Sequence, residues 1–127
     1  MLLVLGLLPL YALADCDNTS ARARAEGRAV IVVFNTLPAR IRVGELFSLH
    51  ATLCANAGAS PVRAFKVDAS MPDHRHGMNY KPSVVRQTEH DYTASGLMFH
   101  MPGRWQYVFE VDTADGRERI LFDYLLD

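Results

Sequence analysis

The sequence predicts an all-β protein, a seven-stranded antiparallel immunoglobulin-like β-sandwich, and three observations carry that expectation. From residue 28 onward the apolar residues recur with a period of two and show almost no helical periodicity. Turn residues interrupt these runs about every 8–12 positions, and roughly 100 residues hold seven runs, the spacing expected of a two-sheet sandwich.

Residues 29–34 are rich in β-branched side chains and form the first expected strand. Residues 35–44 contain Pro38 and Gly44 and turn a corner, with a short extended piece at 41–43. Phe47, Leu49, Ala51 and Leu53 alternate with Ser48, His50 and Thr52, which makes a half-buried second strand with His50 on its solvated side. After a turn at 56–61, Phe65, Val67, Ala69 and Met71 alternate with Ala64, Lys66, Asp68 and Ser70 in the third. A weaker fourth strand lies near 82–87, followed by the charged turn Glu89-His90-Asp91, whose histidine is expected in solvent. Residues 92–99 form the fifth, with Leu97 and Phe99 facing one way and Met98 the other. Trp105, Tyr107, Phe109 and Val111 alternate with polar or smaller residues in the sixth, which belongs at the centre of the core because aromatic rings bury the most apolar area. Asp115-Gly116 makes a hairpin turn, and Ile120, Phe122, Tyr124 and Leu126 define the seventh.

The expected organisation is a cleaved signal peptide over 1–14, an N-terminal linker segment over 15–27 and the sandwich domain over 28–127. Residues 1–14 are a leucine-rich apolar run ending in Ala12-Leu13-Ala14, a small-x-small cleavage pattern. The run is shorter than the roughly 20 residues of an ordinary membrane span, and an uncleaved anchor is the alternative. Asp15, directly before Cys16, argues against a lipoprotein. The basic patch Arg22, Arg24 and Arg28 is interrupted by alanines and Glu26, so it reads as a solvated linker rather than a binding arm. Asn18-Thr19-Ser20 matches a glycosylation sequon, which carries weight only in a eukaryotic context. A net charge of −1 nominates no nucleic acid and no membrane surface, and no stable membrane insertion is expected once the signal is removed.

Residues 71–78 read Met-Pro-Asp-His-Arg-His-Gly-Met and crowd two thioethers and two imidazoles into one loop. Thioether sulfur is a soft donor that suits copper(I), and imidazole suits copper in both oxidation states as well as zinc. Were the segment extended, His74, His76 and Met78 would point to one side of the backbone. A second small cluster, His100-Met101-Pro102-Gly103, follows the fifth strand. If successive strands run antiparallel, the ends of the third and fifth lie at the same end of the sandwich, so the two clusters are neighbours. The expected ligands are His74, His76, Met78 and His100, with Met71 and Met101 in reserve because both share faces with core residues. Asp73 and Glu89 are candidate acceptors for the imidazole N–H groups.

The same parity places Cys16 and Cys54 at the opposite end, where they are expected to form one disulfide. A blue-copper centre needs a thiolate and is therefore disfavoured. Cleavage after Ala14 leaves Asp15 first, which also disfavours an N-terminal histidine brace. No Ser-His-Asp or Cys-His arrangement is favoured, and Asp112 and Asp115 flank a turn, so the chain is read as no enzyme.

The stretches 71–78 and 96–105, the latter reading Gly-Leu-Met-Phe-His-Met-Pro-Gly-Arg-Trp, resemble the FixH/YtkA-like family of small exported immunoglobulin-like domains. That resemblance implies a bacterial β-sandwich associated with copper handling or with the assembly of copper-containing respiratory oxidases. The chain departs from the FixH type in having a cleavable signal where those proteins keep an anchor. The resulting expectation is a periplasmic or otherwise secreted protein that binds one copper ion, copper(I) favoured and copper(II) possible, and exchanges it with a copper-receiving or copper-donating periplasmic partner. The alternative is a metal-free adaptor that uses Arg75, Met78 and Tyr80 as contact residues for a partner protein.

Overall fold

A computed structural model describes Cys16 and residues 22–127. The expected signal over residues 1–14 and the sequon at residues 18–20 lie outside the described residues. The chain is all-β, with nine strands: β1 (Ala23–Glu26), β2 (Val30–Leu37), β3 (Leu46–Ala55), β4 (Val62–Met71), β5 (His76–Gly77), β6 (Ser83–Arg86), β7 (Asp91–Met98), β8 (Gly103–Thr113) and β9 (Gly116–Leu126). One sheet has the order β1-β2-β3-β7-β6 and the other β5-β4-β8-β9, and every pairing is antiparallel. The two sheets pack in a sandwich-like arrangement.

Seven of these strands are the expected ones, and two correct the count. β1 lies in the segment read as a linker and pairs with β2 from Ala23↔Phe34 to Glu26↔Ile31. Its sequence, Ala-Arg-Ala-Glu, buries only Ala25, so it has too little apolar alternation to announce itself and depends on the edge that β2 offers. β5 is two residues long and exists because a tight turn folds it back on β4. The extended piece expected at 41–43 joins neither sheet, although Ile41 is buried in the core.

β8 is central, as its aromatics require. Trp105, Tyr107, Phe109 and Val111 are all buried, and they meet the opposite sheet through Phe34, which packs edge-on against Tyr107 and Phe109 at 5.5 and 5.1 Å. The β3–β7 register shifts between Phe47 and Leu49. The inward set on β7 therefore passes from Tyr92 and Ala94 to Leu97, and on to Phe99 just beyond the strand, a one-residue change of parity. Gly96 at φ 84° supplies the left-handed residue that this bulge needs.

Cys16 and Cys54 form a disulfide with a Cα–Cα separation of 6.2 Å. It lies at the end of the sandwich where β3 finishes and β7 starts. No helix among the described residues is long and apolar enough to cross a membrane.

Candidate metal centre

The first histidine cluster is shaped by a tight turn. The His74 N–H donates to the Met71 carbonyl at 3.1 Å and the Arg75 N–H to the Pro72 carbonyl at 3.3 Å, while Arg75 adopts a left-handed φ of 55°. The chain then reverses, pairing Met71 with His76 and Ser70 with Gly77, and the Met78 N–H donates to the Ala69 carbonyl at 3.3 Å. The fully extended spacing considered for 74, 76 and 78 is thus replaced by a hairpin, because Pro72 and the turn residues cannot continue the ladder. Residues directly opposite in an antiparallel pair share a face. His76 accordingly sits on the face of buried Met71, and Met78 on that of buried Ala69, half-buried against the core. His74 stands exposed at the turn, its ring centroid 5.8 Å from that of His76.

The second cluster is held by Trp105. Phe99 stacks on the indole at 4.4 Å with an interplanar angle of 9°, and Trp105 Nε1 donates to the Met101 carbonyl at 3.0 Å. The loop is fixed from both sides. His100, half-buried, then lies with its ring centroid 5.1 Å from His76, and Trp105 stands 5.4 Å from His100 and 6.0 Å from His76. The two loops, distant in sequence, meet as the antiparallel topology requires. Met101 packs half-buried on the core near its carbonyl's partner Trp105. Met71 is 1% exposed, and its ε-methyl fills the space that a Cβ on Gly103 would occupy at 2.7 Å. Gly103, at φ 128°, is required there both by that contact and by its backbone.

The hydrogen bonding of the two facing rings suits coordination. His76 Nδ1 lies 3.1 Å from the Gly77 carbonyl, and a carbonyl only accepts, so Nδ1 is the donor and Nε2 is the ring nitrogen left to face a metal ion. His100 Nδ1 is buried with no hydrogen-bond partner. An orphaned polar atom of this kind costs about 1–3 kcal/mol unless something binds it. Among the described residues no group of three or more His, Cys, Asp or Glu side chains is arranged to hold a metal ion. The further donors near His76 and His100 are the exposed imidazole of His74, 5.8 Å from that of His76 between ring centroids, and the thioethers of Met78 and Met101, half-buried on the same two loops.

The carboxylates do something other than the orienting role expected of them. Both oxygens of Asp73 accept from Arg104, at 3.1 and 3.0 Å, and Arg104 also reaches Asp123 at 3.4 Å. Hydrogen bonding and the charge of Arg104 hold the Asp73 carboxyl below its ordinary range. Asp73 therefore clamps the 72–75 turn to the start of β8, and the acceptor that orients an imidazole is the Gly77 carbonyl. Glu89 lies 3.9 Å from His90 in the turn before β7, at the far end from the cluster. His50 is exposed in mid-strand, opposite Asn35 and Thr93, apart from the other histidines. The Arg104 clamp had no signal in the sequence, since its partner lies 31 positions away. Trp105 was legible only as core.

Comparison with protein-family models, with curated proteins and with solved structures found no match.

Proposed function

We propose that this protein is a periplasmic copper-binding protein, an immunoglobulin-like sandwich of the FixH/YtkA-like kind, that holds one copper ion at its histidine end for transfer or sequestration. The observation that supports this reading best is the 5.1 Å approach of His76 and His100 from two separate loops, each of which also carries a half-buried methionine, Met78 and Met101. Two imidazoles and a thioether form a soft, low-charge donor set that favours copper(I), and imidazoles also accept copper(II). On this reading His76 and His100 are the principal ligands, Met78 and Met101 the sulfur donors, and His74 a further imidazole at the mouth. Met71 forms the floor. The cysteines are consumed in a disulfide, so no thiolate takes part. A disulfide also suits an oxidising compartment such as the periplasm.

The test is titration of the protein with copper(I), under reducing conditions, against a chromogenic chelator, with zinc run in parallel. Saturation near one equivalent, lost in a His76→Ala/His100→Ala variant that remains folded, is the expected result. Undiminished affinity in that variant would remove the proposed site. A failure of the protein to compete at all would leave the second reading, a metal-free adaptor. That reading is favoured by the absence, among the described residues, of three converging nitrogen or oxygen ligands and by the exposure of Tyr80 and Arg75 on the same loop.

A further inference from the structure

Of the four strands that end the two sheets, β9 is long and open, and we infer that it pairs with β9 of a second copy of this chain about a two-fold axis at Leu121. The inference goes beyond the copper reading and does not rest on it.

The edge differs from its counterparts. β1, β5 and β6 are 4, 2 and 4 residues long, whereas β9 has 11, with no proline and no register shift against β8. β4, where β5 leaves it uncovered, is interrupted by a register shift between Val62 and Ala64. Shortness, proline and bulges are the devices that keep a sheet edge from pairing with another chain, and β9 has none of them. The two-residue turn at 114–115 closes on Thr113↔Gly116, and such a turn ends in a hydrogen-bonded pair. Counting on from that pair, the even-numbered residues of β9 turn their N–H and C=O groups to β8, and the odd-numbered ones from Arg117 to Leu125 turn theirs outward. Among the described residues these outward groups have no backbone partner. The opposite sheet meets β9 through inward side chains, with Gly27 against Ile120 and Phe34 against Phe122 at 5.0 Å, and so leaves the edge uncovered.

The occupant follows from the order of residues along the strand. Two antiparallel copies of β9 pair over their whole length when the axis passes through the midpoint, Leu121, so that Gly116 of one meets Leu126 of the other. Leu121, 49% exposed, then faces Leu121, and Arg119 of each copy faces Asp123 of the other. Apolar and opposite-charge pairs set directly across a ladder are stabilising, and like charges there are not. Both members of the charge pair are open to it. Among the described residues Arg119 makes no ion pair, although Glu110 lies opposite it on β8. Asp123 accepts from Gln106 at 2.9 Å and from Arg104 at 3.4 Å, which leaves carboxylate lone pairs unused. Arg117 keeps its pair with Asp112 at 3.7 Å and falls opposite exposed Leu125. On the inner face Ile120 falls opposite Phe122, and Glu118 opposite Tyr124, a hydroxyl donor. The charges select this arrangement over its neighbours. An axis at Arg119 or at Asp123 sets like on like, and an in-register parallel stack does so along the whole strand. Because Leu126 pairs with Gly103 at the histidine end, the two-fold turns the two histidine ends in opposite directions and covers neither.

Sedimentation equilibrium of the disulfide-bonded protein, in EDTA so that no metal bridges two histidine ends, tests the inference. The expected mass is that of two chains at millimolar chain concentration, falling to one on dilution. Leu121→Lys sets like charge on like at the axis and is expected to raise the dissociation constant about tenfold or more while the circular dichroism and Tm stay near the parent's. A second variant reads the register. Leu121→Cys is expected to oxidise to a covalent dimer, because a hydrogen-bonded antiparallel pair holds its Cα atoms about 5.5 Å apart, within disulfide range. Arg119→Cys, which meets Asp123 instead of itself, is expected not to. A single-chain mass at every concentration, a dimer that Leu121→Lys leaves unchanged, or cross-linking by Arg119→Cys in place of Leu121→Cys would overturn the inference. The copper reading fails separately, since the dimer is measured without metal and each chain keeps its own histidine end.

Discussion

Replacing Met71 distinguishes a wall of the candidate centre from a ligand in it. The side chain is 1% exposed and its ε-methyl lies where Gly103 has no Cβ, so truncation leaves a hole at a position bounded by β-strand backbone that cannot readily collapse. Met71→Ala is therefore expected to cost about 3–4 kcal/mol, within the range measured for buried methionine or leucine truncations. For a domain of this size that corresponds to a fall in Tm of roughly 4–8 °C per kcal/mol. Met71→Leu conserves volume and removes only the sulfur, so it should cost less than about 1.5 kcal/mol. The assay pairs thermal or urea unfolding of both variants with copper(I) competition against a chelator. If Met71 only packs the floor, Met71→Leu keeps its affinity for copper within about threefold, about 0.7 kcal/mol, whatever small stability change it brings, whereas a tenfold loss corresponds to about 1.4 kcal/mol. A loss of tenfold or more in a Met71→Leu protein that melts near the parent temperature would refute the packing assignment and make the sulfur a ligand.

Three further outcomes are expected. Replacing both cysteines by serine should lower the urea unfolding free energy by about 4 kcal/mol, the chain-entropy value for a closed loop with a separation of 38 residues; an unchanged midpoint would show that the N-terminal tether adds nothing. Asp91 accepts hydrogen bonds from Thr52 at 2.7 Å and from Thr88 at 2.8 Å, and although burial opposes ionisation these bonds hold its carboxyl below the ordinary value of 3.8. A depressed folded-state pKa stabilises above the unfolded value and loses that contribution as pH falls through the folded one. Asp91→Asn should thus be less stable by about 1–3 kcal/mol at neutral pH, with the gap to the parent narrowing below about pH 4; a gap that stayed constant down to pH 2 would contradict the assignment. Tyr107 is 1% exposed with a hydroxyl that finds no partner, and burial pushes its phenol far above the ordinary range, so Tyr107→Phe should raise stability by about 1 kcal/mol, read as a higher Tm. A lowered Tm would mean that the hydroxyl has a partner after all.

The alternation of apolar residues located β2, β3, β4, β7, β8 and β9 and, more weakly, β6, because a strand with one face on a core must repeat with period two. It missed β1 and β5 for a physical reason. Neither has an apolar stripe of its own, and each is extended only because a neighbouring strand supplies hydrogen-bond partners along its edge.

The sequence by itself determined the all-β class, the identity of the imidazoles and thioethers, and, through strand parity, which ends of the molecule the His/Met clusters and the cysteines occupy. Parity needs only a count of antiparallel strands, and adding one strand before the count starts and a two-residue strand within a loop left it intact. Tertiary structure alone decided that His76 rather than His74 faces His100, that Met71 is sealed beneath Gly103, and that Asp73 is taken by Arg104 instead of an imidazole. Those outcomes depend on a turn that reverses the chain after Met71 and on contacts between residues some thirty positions apart, such as Asp73 and Arg104 at a separation of 31, and a pattern of local period two carries no information at that range.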